Sequence, residues 1–250
     1  MSGVKRVCSA LIPVWVGLGL VLLWLVAALL IGEELILPTP MQTVEECFAL
    51  FGQASFWAAL GKTLLRGVLA FVCSLFLALL FALLSMIPTV GKIAGTVFSV
   101  LRSIPTMSVI LLLLIWLRPS LAPAAVAAIV ILPTLYSVFI GVMQGVDRGL
   151  IELCDVYKVP WKERIVRVWL PAMAQPLFEG TASGFSLNLK LIIAAEALAQ
   201  TKESLGAMMK NAQIWLETGQ LMAITLVAVV VGVLSETLIR FVGKQVKKWP

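Results

Sequence analysis

Four polar side chains recur at helical spacing within a largely apolar stretch: Glu179, Ser183, Ser186 and Lys190. Their intervals of four, three and four residues place all four on one face of an α-helix, along about 16 Å of its length. Charged side chains are costly inside a bilayer and therefore face a bundle interior or a wet cavity. The stripe predicts a polar translocation path through a membrane protein, with a positively charged site on this path at Lys190. An internal ion pair, or snorkelling of Lys190 to the interface, is the alternative.

Two arginines also lie within apolar segments and are further candidates for this path. Arg66 follows Lys62 by one helical turn, and snorkelling of both side chains to the headgroups is the alternative. Arg102 precedes Pro105, where we expect a kink. Together with Lys190 these cations favour an anion as the solute. Glu196 lies six residues beyond Lys190 and should point away from the stripe.

Other kinds of chemistry find little support in the sequence. The chain contains no histidine, which excludes histidine-based catalysis and histidine metal sites. Gly61–Thr63 reads Gly-Lys-Thr, but position 56 is Phe56, where a phosphate-binding loop needs glycine. The four cysteines share no pair spacing and are expected to be small apolar packing residues. We expect no metal and no cofactor bound by this chain itself.

The elements that must hold the polar residues are membrane-spanning helices. The chain is 61% hydrophobic and 13% charged. Long runs without a charge are typical of spans, and four are present: Val7–Gly32, Gly67–Gly91, Pro119–Val146 and Thr218–Ser235. We predict an all-α membrane protein with one transmembrane domain over residues 1–250. Its six spanning helices are placed at about 9–32, 57–87, 93–117, 121–144, 173–199 and 218–241.

The distribution of lysine and arginine predicts the orientation of these helices. With the N-terminus in the cytoplasm, twelve of the 19 basic residues fall on the inner side, three fall on the outer side, and four lie within spans. The positive-inside rule favours this arrangement, with both termini cytoplasmic. The net charge of +6 is therefore an orientation signal, and no nucleic-acid partner is needed to explain it.

Charged residues are unusually dense between the fourth and fifth predicted spans, on the predicted cytoplasmic side. Seven charged residues occur in the sixteen residues from Glu152 to Arg167, within a loop at about 146–171. Pro160 should separate two short helical pieces, because the residue before proline avoids the α region. Pro171 should begin the next span.

The predicted outer side has two sizeable segments, Glu33–Phe56 and Thr201–Glu217. In the first, we expect a short helix capped by Thr43, with Glu46 completing a capping box. Three glycine pairs have the spacing that lets membrane helices approach closely, and intramolecular packing is the favoured interpretation. They are Gly91/Gly95, Gly141/Gly145 and Gly180/Gly184.

The charged loop resembles the cytoplasmic loop of permease subunits of bacterial ABC importers. That pattern is Glu-Ala-Ala, three residues, Gly, nine residues, then Ile-x-Leu-Pro. Glu152 stands at the Glu, Lys158 at the Gly, and Val168, Leu170 and Pro171 at the final Ile, Leu and Pro. The spacing is kept in full, although the two alanines are replaced by Leu-Cys and the glycine by lysine.

The resemblance extends over most of the chain and favours the nitrate/sulfonate/taurine branch of these permeases. The segments that carry it are "LPTP", "TLLRGVLAF", "LRSIPTMSVILLLLIWL", "LPTLYSVFIGVMQGVDRGLIEL", "AAEAL" and "SLGAMM". It implies a type I importer permease in the bacterial inner membrane, surrounded by lipid and paired with a second copy of itself. A cytoplasmic ABC ATPase dimer would bind ATP and Mg²⁺, and an extracytoplasmic substrate-binding protein would dock on the two outer segments.

In this family the loop forms a coupling helix that seats on the ATPase. The resemblance assigns that role to Glu152, Asp155, Lys158, Val159, Pro160, Trp161, Leu170 and Pro171. The solute it implies is a small anion such as a sulfonate, with a pyrimidine-type vitamin precursor as the alternative. Two other classes remain open: a stand-alone secondary transporter, for which we find no clear internal repeat, and a membrane enzyme using Asp147, Glu152 and Asp155.

Overall fold

The computed structural model describes residues 2–246, with side chains described from Trp15 onward except at positions 148, 161, 165, 170, 172 and 246. This part of the chain is almost entirely helical and contains no strand. Its helices, in chain order, are α1 (Ser2–Ile31), α2 (Pro40–Phe51), α3 (Ala54–Leu84), α4 (Pro88–Ser103), α5 (Thr106–Trp116), α6 (Ala122–Gln144), α7 (Arg148–Val156), α8 (Trp161–Arg164), α9 (Leu170–Ala199), α10 (Leu205–Ile214) and α11 (Thr218–Val246). A π-helical segment, Ile165–Trp169, joins α8 to α9.

Four of these helices, α3, α6, α9 and α11, are long and apolar enough to cross a membrane. The pair α4 and α5 makes a fifth span if the two are counted together. The apolar part of α1 with described side chains, Trp15–Ile31, is shorter. The all-α membrane fold is therefore confirmed, with four or five of the six predicted spans passing this test among the described residues.

The third predicted span is not the single helix we expected at 93–117. It consists of α4 and α5, which meet at an angle of 90°. The break falls at the expected proline: Pro105 has no N–H to donate, and Ile104 before it is extended, with ψ at 127°. The predicted kink is confirmed in position, but it divides the segment into two helices.

The outer elements differ from prediction in two details. The cap of α2 is Thr39, whose hydroxyl accepts from the Gln42 amide while the Gln42 side chain accepts from the Thr39 amide. The predicted cap at Thr43 and Glu46 is therefore wrong by one turn. Thr43 is instead buried inside α2 and donates to the Thr39 carbonyl. The predicted loop Thr201–Glu217 contains a helix, α10, capped by the Ser204 hydroxyl.

The centre of the bundle is formed by α6 and α9, which pack against each other and against α3. Gly180 and Gly184 of α9 face Val138 and Leu135 of α6. A Cβ at Gly184 would lie 2.9 Å from Leu135 Cδ2, and one at Gly180 would overlap Val138 Cγ1. Intramolecular packing is thus confirmed for this glycine pair. A Cβ at Gly95 or Gly141, by contrast, would meet nothing within 4 Å.

Replacing Gly180 by leucine should therefore disrupt the α6–α9 contact. Overpacking a close helix contact destabilises a protein by about 3 kcal/mol at the upper end of the usual range. Gly141→Leu is the matched control, because it adds the same side chain to α6 where the protein leaves open space. Thermal unfolding in detergent should show a lower midpoint for Gly180→Leu and a near-native one for Gly141→Leu. Equal midpoints for the two variants would contradict the packing described here.

Candidate functional site

A groove between α9 and α11, with Met209 of α10 also in its lining, forms a cavity of about 560 Å³. The groove is lined by four polar residues, eight apolar residues and Gly232. The polar residues are Ser186, Lys190, Thr225 and Glu236. The apolar residues are Leu189, Ile193, Ala194, Ala197, Met209, Ala228, Val229 and Val233. The size is that of a typical small-molecule pocket.

The net charge of the groove comes from Lys190. Glu236 is paired with Arg240, one turn away on α11, at 2.8 Å between Oε1 and Nη2. Within the described residues, Lys190 makes no hydrogen bond and no ion pair, and neither does the hydroxyl of Ser186. These two side chains are one turn apart on α9 and line the same wall. They can offer an ammonium and a hydroxyl donor to an anion.

The inner half of the predicted polar stripe lies beside a second, smaller cavity of about 180 Å³. Glu179 lines this cavity and accepts a hydrogen bond from Gln175 Nε2 at 3.1 Å. Ser183 accepts from Arg240 Nη2 at 3.2 Å. The four residues therefore share one face of α9, as their spacing predicted, and this face is directed toward α11. Ser186 and Lys190 line the groove, whereas Glu179 lines the smaller cavity and Ser183 contacts Arg240.

The two arginines predicted to join the path lie elsewhere. Arg66 Nη1 donates to Glu196 Oε1 at 2.8 Å, and Arg102 Nη1 donates to Ser137 Oγ at 2.7 Å. Neither arginine lines the groove. Lys62, the neighbour of Arg66, forms an exposed ion pair with Glu203. The structure thus brings Ser186 and Lys190 together in the groove and places Arg66 and Arg102 in other contacts.

Glu196 is the centre of a buried polar cluster that the sequence reasoning did not assign to any site. Its side chain is fully buried and accepts from Thr63 Oγ1 at 2.8 Å as well as from Arg66. Thr63 in turn accepts from the Leu205 amide at 3.0 Å, and Gly206 N lies 3.4 Å from Glu196 Oε2. The available signal was the placement of Thr63 and Arg66 three residues apart, on one face of α3.

The charged loop folds as predicted into two short helices separated by Pro160. Helix α7 ends in a Schellman motif: Val159 N donates to Cys154 O at 2.9 Å, and Lys158 N donates to Asp155 O at 3.1 Å. Lys158 occupies the left-handed position of this motif, with φ at 49°. This is the position at which the loop pattern has glycine, because glycine adopts the conformation without strain.

Arg164, which was not among the predicted coupling residues, holds the two short helices together. Its guanidinium donates to Val159 O and Cys154 O, both at 2.9 Å, and to Asp155 Oδ1 at 2.5 Å. A cation is favoured at the C-terminal end of α7, where it adds a second donor to Cys154 O and interacts with the negative end of the helix dipole. The loop is therefore a compact turn held by one arginine.

The predicted coupling residues are mostly on the surface of this turn. Glu152, Asp155, Lys158, Pro160 and Pro171 are exposed, and Val159 is half-buried. The side chains of Trp161 and Leu170 lie outside the described residues. Pro171 falls in the first turn of α9, as expected, although the helical path already begins at Trp161 and runs through the π-helical segment.

Replacing Lys158 by glycine is expected to stabilise the loop by about 1 kcal/mol, since a left-handed conformation costs a side-chain-bearing residue about 1–2 kcal/mol. Lys158→Val should destabilise it, because a β-branched side chain tolerates positive φ poorly. Hydrogen exchange of the Val159 amide measures the effect directly. Slower exchange in Lys158→Gly and faster exchange in Lys158→Val are expected. The same exchange rate in all three proteins would contradict the strain at this position.

On the predicted outer side, the two long segments meet around a cavity of about 420 Å³. Thr218 Oγ1 donates to the Glu34 carbonyl at 2.9 Å, which joins the start of α11 to the turn after α1. Four glutamates, Glu34, Glu45, Glu46 and Glu217, line this cavity together with Trp215. The two segments predicted to form one outer surface are thus adjacent.

Comparisons with known proteins agree on one class. A family model described as "Binding-protein-dependent transport system inner membrane component" matches residues 74–248. The taurine transport system permease protein TauC of Escherichia coli (strain K12) is 25% identical over 253 residues, covering 96% of this chain and 87% of that protein. The putative aliphatic sulfonates transport permease protein SsuC of Bacillus subtilis (strain 168) is 22% identical over 218 residues, covering 86% and 78%.

Two solved structures share the fold at low identity. A chain of an amino acid ABC transporter crystallised with histidines has a TM-score of 0.61 at 15% identity, and the match covers 78% of this chain and 92% of that one. A chain of the MetNI methionine ABC transporter in an inward-facing conformation has a TM-score of 0.53 at 18% identity, with 77% and 92% covered. At these identities the likeness establishes the fold.

Proposed function

The chain belongs to the binding-protein-dependent transport system inner membrane components, and from this we propose that it is the permease subunit of an ATP-driven importer for an organic anion of the sulfonate type. The similar proteins TauC and SsuC are named for taurine and aliphatic sulfonates. The negative charge of the solute is inferred from Lys190, a lysine of the groove along α9 whose charge no described acidic side chain neutralises. A cation at membrane depth is costly unless a charged solute or partner meets it.

The charged loop is the proposed contact with a cytoplasmic ABC ATPase dimer, which would bind ATP and Mg²⁺. Its surface carries both signs of charge, which favours steered and reversible docking. From Trp161 the chain runs helically through the π-helical segment into α9, the helix that carries Lys190. A displacement of the loop would therefore pass along one helical path to the groove. Single-turn π segments are frequent at functional sites.

On the opposite side we propose docking of an extracytoplasmic substrate-binding protein, on the surface formed by Glu33–Phe56 and Thr201–Glu217. Residues of both segments, among them Glu34 and Glu217, line the same cavity, which supports one continuous surface. Both chain termini would be cytoplasmic, as the distribution of basic residues predicts. A second copy of the chain would complete the membrane part of the importer.

Purification from native membranes in mild detergent tests the proposed partners. An ABC ATPase should co-purify with the chain, and scrambling the segment from Glu152 to Arg167 should release it. Uptake should require ATP. Uptake that continues on an ion gradient alone, without ATP, would instead identify a secondary transporter. If the protein converts a lipid, and alanine substitution of Asp147, Glu152 and Asp155 abolishes that conversion, it would be identified as an enzyme.

Lys190→Gln should lower sulfonate uptake at least tenfold at low substrate concentration. Lys190 is exposed in the chain by itself, but a sulfonate bound in the groove would desolvate it. Losing one partner of a desolvated charge pair typically costs about 2–5 kcal/mol, and each 1.4 kcal/mol is about tenfold. Lys190→Arg keeps the charge and should retain most uptake. Lys92→Gln is the matched control, because Lys92 is an exposed lysine of α4 that lies outside the groove and outside the proposed docking surfaces. If Lys190→Gln took up sulfonate at the wild-type rate, the proposal that the solute is an anion bound by Lys190 would be contradicted.

A further inference from the structure

Deepening the proposed function, on which it rests, we infer that the groove itself selects the solute. It favours a singly charged organic anion with an apolar body over inorganic anions and over zwitterions such as taurine. The permease would then contribute to selectivity in addition to any binding protein. The inference stands on the charge of the groove, on its lining and on the depth of Lys190.

The charge of the groove matches one negative group. Lys190 has no partner within the described residues, and the Ser186 hydroxyl beside it is also free to donate. Among α-helical serines the hydroxyl commonly donates to a carbonyl one turn back, as Ser183 does to Glu179 O. A sulfonate oxygen can therefore accept from both Lys190 and Ser186.

A second charge on the ligand would find no partner. The other ionised lining residue, Glu236, is already bound by two nitrogens of Arg240, at 3.2 Å from Nε and 2.8 Å from Nη2. The ammonium group of taurine would have to be desolvated beside this neutralised pair and near Lys190. Desolvating an unpaired ion is strongly unfavourable. The groove therefore disfavours a zwitterion.

The rest of the wall is suited to hydrocarbon. Beyond Lys190 the groove is lined by side chains such as Leu189, Ile193, Met209 and Val229. An inorganic anion would leave this wall in contact with water, whereas an alkyl or aryl group would cover it. Each methylene buried contributes about 0.8 kcal/mol, which corresponds to about a fourfold gain in affinity.

The depth of Lys190 distinguishes a solute from a membrane lipid. Lys190 lies nine residues before Ala199, the last residue of α9, which is about 13 Å along the helix axis at 1.5 Å per residue. A phospholipid keeps its charged headgroup at the membrane surface and would bring only acyl chains to this depth. A small amphipathic anion can bring its charge to Lys190.

Calorimetric titration of the full chain in nanodiscs tests the inference without requiring transport. The probes are ethanesulfonate, butanesulfonate, hexanesulfonate, taurine and sulfate. We expect affinity to rise about fourfold per methylene along the alkane series, with taurine and sulfate at least tenfold weaker than butanesulfonate. Lys190→Gln should lose the specific signal while Lys190→Arg retains it. Lys92→Gln, whose lysine lies on α4 outside the groove, should titrate like the wild type.

The groove wall gives an independent variant. Ala228→Leu adds volume to the apolar lining of the groove and should weaken hexanesulfonate more than ethanesulfonate. Long sulfonates also partition into the lipid, and this contribution is the same for all variants. The heat measured with Lys190→Gln is therefore subtracted as the background. Equal affinity for taurine and butanesulfonate, a signal unaffected by Lys190→Gln, or a tightly bound phospholipid in place of any sulfonate would each overturn the inference. Absence of a co-purifying ATPase would instead contradict the proposed importer and leave these titrations unchanged.

Discussion

Replacing Glu196 by alanine is expected to destabilise the protein by about 3–5 kcal/mol, the cost typical of breaking a buried ion pair by removing one partner. The Glu196 side chain is 0% exposed and that of Arg66 is 18% exposed. Without the carboxylate, the Arg66 guanidinium and the Thr63 hydroxyl lose their acceptor inside the bundle. The substitution should therefore greatly lower the yield of folded protein.

Lys62→Ala is the matched control for this prediction. Lys62 lies one turn from Arg66 on α3 and also forms an ion pair, with Glu203, but the two side chains are 49% and 60% exposed. Exposed pairs contribute about 0–1 kcal/mol. Denaturant unfolding in detergent should separate the two variants clearly. The double variant Glu196→Gln with Arg66→Gln should lose less than the sum of the single losses, because it leaves no buried charge alone. Strict additivity would contradict direct coupling between Glu196 and Arg66.

The same cluster attaches α10 to the helix that lines the groove. The Glu196 carboxylate faces the first amides of α10, where a negative charge is favoured by the free N–H groups and the helix dipole. A Cβ at Gly206 would lie 2.5 Å from Ala197 N, so α10 meets the backbone of α9 without a side chain between them. Met209 of α10 lines the groove. An outer partner that moved α10 would therefore act directly on the groove.

The sequence predicted the helices and the polar stripe because both depend on local pattern. The spans predicted at 57–87, 121–144, 173–199 and 218–241 agree with α3, α6, α9 and α11 to within about five residues at each end. Pro105 and Pro160 predicted the positions of the helix breaks. The stripe from Glu179 to Lys190 needed only helical spacing. The 90° angle between α4 and α5 could not be obtained in this way, because the proline fixes where a helix ends while packing against neighbours fixes the direction of the next one.

The burial pattern was harder to predict, because lipid is as apolar as a protein core. On α3 the buried face consists largely of small residues, such as Ala70, Ser74 and Ala78, while Leu69 and Phe76 face outward. Close packing of membrane helices favours small residues at contacts, so hydrophobicity alone does not identify the inner face. The partner of Glu196 was hidden for a different reason, since Arg66 lies 130 residues away in the sequence.

Replacing Arg164 by alanine is expected to lower uptake at least tenfold while leaving the membrane helices folded. Arg164 joins α7 to α8 through two carbonyls and one carboxylate. Hydrogen bonds to a charged group contribute about 1.5–3 kcal/mol each when made, so losing them would populate open loop conformations that cannot seat on an ATPase. Arg164→Lys should recover only part of the activity, because a lysine ammonium cannot reproduce the planar geometry with which the guanidinium reaches its three acceptors.

Arg167→Ala controls for the loss of a positive charge from the same loop. Arg167 is 78% exposed, and its nitrogen lies 3.9 Å from Glu163, so its contribution to loop structure should be small. The measurement is ATP-dependent sulfonate uptake beside ATPase co-purification and thermal unfolding of each variant. Arg164→Ala should lose uptake and co-purification together at a near-native unfolding midpoint, whereas Arg167→Ala should stay within about twofold of the wild type, since an exposed pair contributes about 0–1 kcal/mol. Equal losses in the two variants would mean that the loop acts through its net charge, and the fold that Arg164 imposes on it would then have no part in coupling.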